Sequence, residues 1–291
     1  MKSEIKVESA MSSPVIAVRP TDTVARAKNL MLRHGVGRLV VMEKGKPVGM
    51  LSMHDVAEHL SRGAPEWRRR QIDQIPISRV MHKGLVTVSM GTELGNAARL
   101  MLHHGISSLV VLEDGEVAGM LTKTDLTRHF AGQLRGKSRV DELMTKNPVV
   151  VNRGHSIARV VELMEEFGVA RVVVVVGERP IGIISESDVG FARMEEPGRG
   201  MKEREVRYTR KLERASRPMA RYVKQVALLT AEDIMHSDII TVLPESDSAE
   251  AAGLMLKHGI SGLPVVENEK LAGILTKTDF VKEIGRLYHE G

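Results

Sequence analysis

Gly273-Ile274-Leu275-Thr276-Lys277-Thr278-Asp279 returns three times in this chain, as Gly119-Met120-Leu121-Thr122-Lys123-Thr124-Asp125, Gly182-Ile183-Ile184-Ser185-Glu186-Ser187-Asp188 and Gly49-Met50-Leu51-Ser52-Met53-His54-Asp55. The common form is glycine, two apolar residues, Ser or Thr, two variable positions and Asp. Two apolar residues running into a hydroxyl and a carboxylate describe a strand that ends in a polar turn. The periodic apolar segment after each copy makes that turn the start of a helix. Four copies require four related structural units.

One copy taken alone reads two ways. Ser or Thr followed three residues later by Asp resembles a capping box, whose side chains satisfy the orphan amides of a new helix. The same geometry offers free amides and a positive dipole end to a phosphate, with a carboxylate placed to accept ribose hydroxyls. The two roles are compatible.

Working outward, the first unit shows Pro14 to Val18 as a short strand, then Thr21-Asp22-Thr23 as capping residues. Val24, Ala27 and Met31 follow at i, i+3 and i+7, one buried helical stripe, and Gly35 is placed as a left-handed cap. Leu39 to Met42 and Val48 to Leu51 make a hairpin around Glu43 to Pro47, and Ser52 to Asp55 opens a second helix running to Leu60. The order is strand, helix, strand, strand, helix. The second unit repeats it with Val86 to Val88, then Leu94, Ala97 and Met101, then Gly105, then Leu109 to Leu112 and Val117 to Leu121. The third has Val149 to Val151, Ile157, Val160, Met164, Gly168 and the hairpin Val172 to Ile184; the fourth has Ile239 to Val242, Ala251, Met255, Gly259 and Leu263 to Leu275. A methionine four residues before the capping glycine recurs every time and belongs to the core.

With 291 residues the chain can hold two ordinary domains or several small units, and its 42% hydrophobic and 27% charged content is that of a soluble globular protein. Aromatics make up only 3%, so Val, Leu, Ile, Ala and the 17 Met must build the core. The longest apolar run, Val172 to Val176, is far too short to span a membrane, and no signal-peptide core follows Met1. Zero cysteines exclude disulfides, thiolate metal sites and cysteine nucleophiles and fit a cytoplasmic protein. No Walker-type loop, His-Glu-x-x-His or Gly-x-Ser-x-Gly motif is present, so neither a catalytic residue nor a metal site is assigned and the reading is non-enzymatic.

Met235 with Ile239-Ile240-Thr241-Val242, Met255 through Ile260, Leu263-Pro264-Val265-Val266 and Gly273 through Asp279 together resemble the CBS domain, a module of about sixty residues. The resemblance covers nearly the whole chain, at 8–61, 78–132, 138–193 and 230–288. It implies an α/β (α+β) fold of four β-α-β-β-α repeats packed pairwise into two Bateman modules, similar to the gamma subunit of AMP-activated protein kinase and its archaeal relatives. Adenosyl ligands are expected in clefts between paired repeats, with AMP first, then ADP, ATP and S-adenosylmethionine. The modules are expected to assemble into a disc, within one chain or across a homodimer. An unidentified protein partner would read the ligand state.

The resemblance also assigns roles. Asp55, Asp125, Asp188 and Asp279 occupy the ribose-binding position. Ser52, Thr122, Ser185 and Thr276 begin the polar turn, and Thr124, Ser187 and Thr278 sit where a hydroxyl meets phosphate. Ile16, Val36, Ile106, Val169, Ile240 and Ile260 look like adenine-facing contacts. His34, His104 and His258 stand where related proteins place a phosphate-binding histidine, although a cation there also complements the helix C-terminus. The third unit has Phe167 instead. Lys123 and Lys277 add cations to their turns for phosphate, His54 replaces a hydroxyl in the first, and Glu186 puts an anion in the third. The sites of Asp125 and Asp279 are therefore expected to be stronger than that of Asp188.

The connectors differ in character. Gly63 to Ile77 carries Trp67 and Arg68-Arg69-Arg70. Residues 193–224 hold eleven Lys/Arg against five Asp/Glu, a net of +6, while the whole chain carries +5, so the basic character is local. The connector 194–229 is expected to include a charged helix from Met201 to Ala215 with Pro218 ending or kinking it. A solvated face is the plain reading of such a run; contact with nucleic acid through 193–224, or a purely architectural interaction module, are the alternatives to a nucleotide sensor.

Overall fold

The computed structural model describes residues 5–53, 55–56, 74–189 and 229–288 in full, and the backbone of 201–209 and 220–228. His54, Trp67, Arg68-Arg69-Arg70 and Pro218 lie outside the described residues. Two compact units divide the chain, one of 1–148, 177–180 and 238–291 and the other of 149–176 and 181–237.

The repeats share one body, although the first strand expected at Ile239 to Val242 of the fourth is reduced to a single bridge between Val242 and Val265. In the first, β1 (Ala17–Val18) leads to α1 (Val24–His34), β2 (Arg38–Glu43) and β3 (Lys46–Ser52). Helix α1 starts where the Thr23 hydroxyl accepts the Arg26 amide, buries Val24, Ala27 and Met31, and stops at Gly35 with φ of 63°. Strand β1 pairs parallel with β2, and β2 pairs antiparallel with β3. The second repeat follows with β4 (Thr87–Ser89), α2 (Leu94–His103), β5 (Ser108–Glu113), β6 (Glu116–Thr122) and α3 (Lys123–Gln133). A short helix α4 (Val140–Leu143) and β7 (Thr145–Lys146) precede β8 (Val150–Asn152), α5 (Ile157–Phe167), β9 (Arg171–Val176) and β10 (Arg179–Ser185) of the third. The mixed α/β repeats expected from the sequence are present.

The connector departs from its expected helix. Strands β11 (Met201–Thr209) and β12 (Ala220–Leu228) form an antiparallel hairpin. Its register sets Glu205 opposite Lys224, Val206 opposite Val223 and Arg207 opposite Tyr222. Charge density suggests a helix from Met201 to Ala215, whereas the backbone pairs as a two-stranded ladder. The fourth repeat then runs through α6 (Ala231–Ile234), α7 (Ser248–Lys257), β13 (Gly262–Glu267), β14 (Lys270–Thr276) and α8 (Lys277–Leu287).

The segment leading into each repeat packs on a different repeat. The first leader reaches the second: the Val7 amide donates to the Thr92 carbonyl, and Ser12 and Met120 exchange backbone bonds at 2.9 and 3.0 Å. The second leader returns to the first, with His82 and Met50 bonded likewise at 2.9 Å each way. In the same manner β7 of the third leader pairs with β14, and Ile183 of the third repeat bridges His236 of the fourth leader. Each leader carries a methionine, Met11, Met81, Met144 or Met235, that lies against the strand glycine of the recurring motif. A Cβ on Gly119 would lie 2.7 Å from Met11 Sδ; on Gly182, 2.5 Å from Met235 Sδ; on Gly273, 2.6 Å from Met144 Sδ. On Gly49 it would lie 2.7 Å from the His82 carbonyl oxygen. Only glycine allows so close an approach.

Within the larger unit, the sheets of the first two repeats meet across Val40, Val110 and Met120, with Met42, Met50 and Leu112 around them. Helices join the second and fourth: α2 packs on α8 and α3 on α7, with Phe130 and Phe280 ring centroids 4.8 Å apart. His129 Nε2 lies 2.8 Å from Tyr288 Oη in that interface, and burial holds the imidazole below its ordinary value.

Gly49→Ala and Gly273→Ala are expected to destabilise the protein by about 1–3 kcal/mol each, read as lower urea midpoints. Gly132→Ala, with nothing within 4 Å, is expected to be neutral or stabilising by up to about 1 kcal/mol. Because the folded pKa of His129 is depressed, its contribution is present above its ordinary value of 6.5 and lost as pH falls through the folded value. Urea unfolding of His129→Gln is therefore expected to depend less on pH between about 7 and 5 than that of the native chain.

Candidate functional site

The four polar turns share one local geometry. The Ser52 amide and hydroxyl each reach Asp55 Oδ2 at 2.7 Å; the Thr122 amide and hydroxyl reach Asp125 Oδ2 at 2.9 and 2.6 Å. Ser185 bonds Asp188 Oδ2 at 2.7 Å twice, and Thr276 bonds Asp279 Oδ2 at 2.8 Å twice. Each is a capping interaction: a strand ends, the chain needs acceptors for the amides of the new helix, and the carboxylate supplies one oxygen. The capping reading of the sequence therefore holds, and it commits only Oδ2.

The other oxygen meets a different environment in each repeat. Asp125 Oδ1 accepts from Ser12 Oγ at 2.8 Å and from Arg128 at 2.7 Å. Asp188 Oδ1 lies 2.9 Å from His236 Nε2, and Asp279 Oδ1 takes Lys282 Nζ at 3.2 Å. Asp55 Oδ1 has no hydrogen bond among the described residues, with Arg38 as its nearby charge. Ser12 and His236 belong to exchanged leaders, each directly after the leader methionine, and His82 and Thr145 hold the same place in the other two. Asp125 and Asp188 are thus joints between the helix each caps and a leader from another repeat. Asp125 and Asp279 are only 3% exposed, while the Asp188 side chain is 17% exposed. The pair of carboxylates carrying lysine-bearing turns is the more enclosed pair.

The remaining expected residues separate into groups. Lys123, Thr124, Lys277 and Thr278 come together: Lys123 Nζ donates to Thr278 Oγ1 at 2.9 Å, and Lys277 Nζ to Thr124 Oγ1 at 3.1 Å. Ser187 is half-buried in the smaller unit. Ile16 and Val36 share one half-buried edge of the first core, while Ile106, Ile240 and Ile260 line the core joining the second and fourth repeats, and Val169 lies at the edge of the third. Half-buried aliphatic side chains beside a polar turn can cover the face of a base. His34, His104 and His258 are exposed at helix C-termini, and among the described residues no hydrogen bond joins them to the polar turns.

Two kinds of residue escaped the reading of the sequence. Arg38 of the first repeat donates to Ser107 Oγ of the second, and burial pushes its guanidinium below the ordinary value while Asp55 opposes that shift. Arg171, at the same place in the third repeat, is lowered by burial and raised by Glu186 and Asp188. Both stand three residues after the capping glycine, where the other repeats have Ser108 and Gly262. That offset was the available signal. The leader histidine His236 was the second omission, because only the exchange of leaders brings it to a carboxylate. Among the described residues no group of three or more His, Asp or Glu gathers as a metal site would need, and no helix is long and apolar enough to cross a membrane.

The CBS domain family matches four segments of the chain, residues 6–62, 77–132, 140–193 and 231–286. MJ1404 of Methanocaldococcus jannaschii is 27% identical over 287 residues, 97% of this chain, which spans 62% of the length of that relative. MJ1225 of the same organism is 22% identical over 293 residues, covering 94% of this chain and 96% of the relative. The crystal structure of MJ1225, a protein proposed as an archaeal homologue of g-AMPK, matches with a TM-score of 0.72 at 20% identity over 96% of this chain and 99% of that one. A conserved protein of Pyrococcus horikoshii matches with a TM-score of 0.63 at 20% identity, over 96% of this chain and 100% of that one. At such identities the two structures speak for the fold.

Since each of these carboxylates also closes a helix, Asp125→Ala and Asp279→Ala are expected to cost about 1–3 kcal/mol of stability without any ligand. Ser187→Ala is expected to cost less than about 0.5 kcal/mol. Urea unfolding of ligand-free variants checks both.

Proposed function

Because the chain belongs to the CBS domain family through four matched repeats, we propose that it is a non-catalytic sensor of adenine nucleotides, AMP foremost, with ADP, ATP and S-adenosylmethionine as weaker candidates. One observation carries this reading. In the second, third and fourth repeats the motif Asp spends one oxygen on its helix cap and turns the other toward a neighbouring leader or a helix cation, and in the first the other oxygen has no hydrogen bond among the described residues. A carboxylate fixed by its cap is pre-organised to accept a ribose hydroxyl on the remaining oxygen. Free amides of the new helix and the turn hydroxyls suit phosphate, and half-buried Ile16 and Val36, or Ile240 and Ile260, suit the base. The likeness to the fold of MJ1225 supports the same reading.

In this proposal the ligand draws a leader and a turn from different repeats onto one molecule. Ser12 or His236 would then exchange its carboxylate bond for the ligand. The shift reaches a protein partner only through differential affinity of the nucleotide for the two arrangements. Half-buried Arg38 would meet a phosphate in the first repeat, whereas Glu186 would repel one in the third.

Calorimetry on nucleotide-stripped protein is expected to show saturable AMP binding and a rise in melting temperature, with about 2.7 kcal/mol of stabilisation at a hundredfold excess over Kd. Asp125→Ala and Asp279→Ala are expected to lose more binding than Asp188→Ala; equal losses at all positions would overturn that order. No thermal shift with any adenosyl compound would sink the sensor reading and leave an architectural module. The locally basic 193–224 segment favours nucleic acid as a second reading. Its mark would be binding to labelled RNA or DNA that falls steeply with salt and vanishes when the segment is deleted.

A further inference from the structure

The lysine of each turn in the second and fourth repeats bonds the opposite turn. Lys123 and Thr124 open α3, and Lys277 and Thr278 open α8, two helices that pack on one another. Lys123 Nζ stands 2.9 Å from Thr278 Oγ1, while Lys277 Nζ stands 3.1 Å from Thr124 Oγ1. The two contacts are reciprocal, so a local twofold relates the turns. All of the side chains involved are half-buried. From the sequence alone each lysine would serve the turn in which it lies. The geometry reverses that assignment, since the ammonium that touches a phosphate-facing hydroxyl comes from the other repeat.

We propose that a phosphate held at the turn of the fourth repeat is bound by Lys123 of the second, and one at the turn of the second repeat by Lys277 of the fourth. This assignment rests on the nucleotide reading above. A phosphate oxygen that accepts from the Thr278 hydroxyl arrives at the position Lys123 already reaches. The lysine then trades a neutral hydroxyl acceptor for a charged one, and a charge-assisted bond is about twice as strong as a neutral one. The same exchange at Thr124 recruits Lys277. Asp125 and Asp279 keep their roles in holding the sugar, so sugar and phosphate of one nucleotide are read by different repeats. Each site is incomplete without the other turn, and what one ligand does to it the other must return.

The test uses the full chain and AMP, with adenosine as the ligand that lacks the phosphate. Asp125→Ala and Asp279→Ala first identify which component of the AMP isotherm belongs to which turn. Lys123→Met, which keeps the side-chain stem, is expected to weaken the component that Asp279→Ala removes by about tenfold or more. It should leave the component removed by Asp125→Ala within about threefold, and Lys277→Met should show the reverse pattern. Adenosine affinity is expected to stay unchanged in both variants, since a lysine that only supports the fold would lower it too. If Lys123→Met weakens only the site of its own turn, or weakens adenosine as much as AMP, the crossed assignment is overturned and the nucleotide reading stands. If the native chain binds no AMP, both are overturned.

Discussion

The contact on which the rest depends is that between a leader methionine and the bare backbone of a strand glycine. Met11 on Gly119, Met144 on Gly273 and Met235 on Gly182 leave no room for a Cβ, and on Gly49 the His82 carbonyl fills the same space beside Met81. Backbone bonds on either side, such as those between Ser12 and Met120, hold the leader at that depth. The leader is therefore part of the sheet and core of a repeat to which it does not belong in sequence. Val7, from the first leader, is fully buried among residues of the second and fourth repeats. Separating such repeats would strip a core of its own residues, which makes a pair the smallest stable body.

From this exchange follows the character of the polar turns. The capping box fixes the carboxylate with respect to its helix, and the leader brings Ser12 or His236 to its free oxygen. A group so placed is sensitive to the spacing of two repeats, because moving the leader by an ångström breaks the bond. The capping role and the ligand role do not compete, since they use different oxygens. The helices opened by these turns carry the coupling further. Helices α3 and α8 bury Phe130 against Phe280 and cross their lysines at their N-termini, so the second and fourth repeats are joined by apolar and polar contacts of the same helix pair.

Much of the repeat was legible without coordinates because its signals are local. The Met31 stripe with Val24 and Ala27, the glycine after it and the Ser52-to-Asp55 cap depend on residues within one or two turns of each other. The hairpins were legible for the same reason. The charged connector was misread because composition there outweighs pattern; the facing of Val206 with Val223 and Glu205 with Lys224 emerges only when the two strands of the hairpin are set side by side. Arg38 was overlooked because a lone arginine in an apolar strand gives no hint of what it meets. Its partner Ser107 lies in the next repeat and its electrostatic neighbour Asp55 in a later turn.

By itself the sequence determined that four related α/β units exist, where the helix after each polar turn begins, and which hydroxyl and carboxylate form each cap, because propensity, periodicity and capping act over a few residues. Tertiary structure alone decided which leader completes which repeat, which carboxylate oxygen remains available, and that Lys123 and Lys277 serve each other's turns. Those outcomes depend on close packing between segments from about thirty to more than a hundred residues apart in the chain, such as His82 with Met50, Ser12 with Asp125 and Lys123 with Thr278. No short-range rule records such a contact. It arises when backbones approach closely enough that a glycine, a sulfur and a carbonyl oxygen must share the same space.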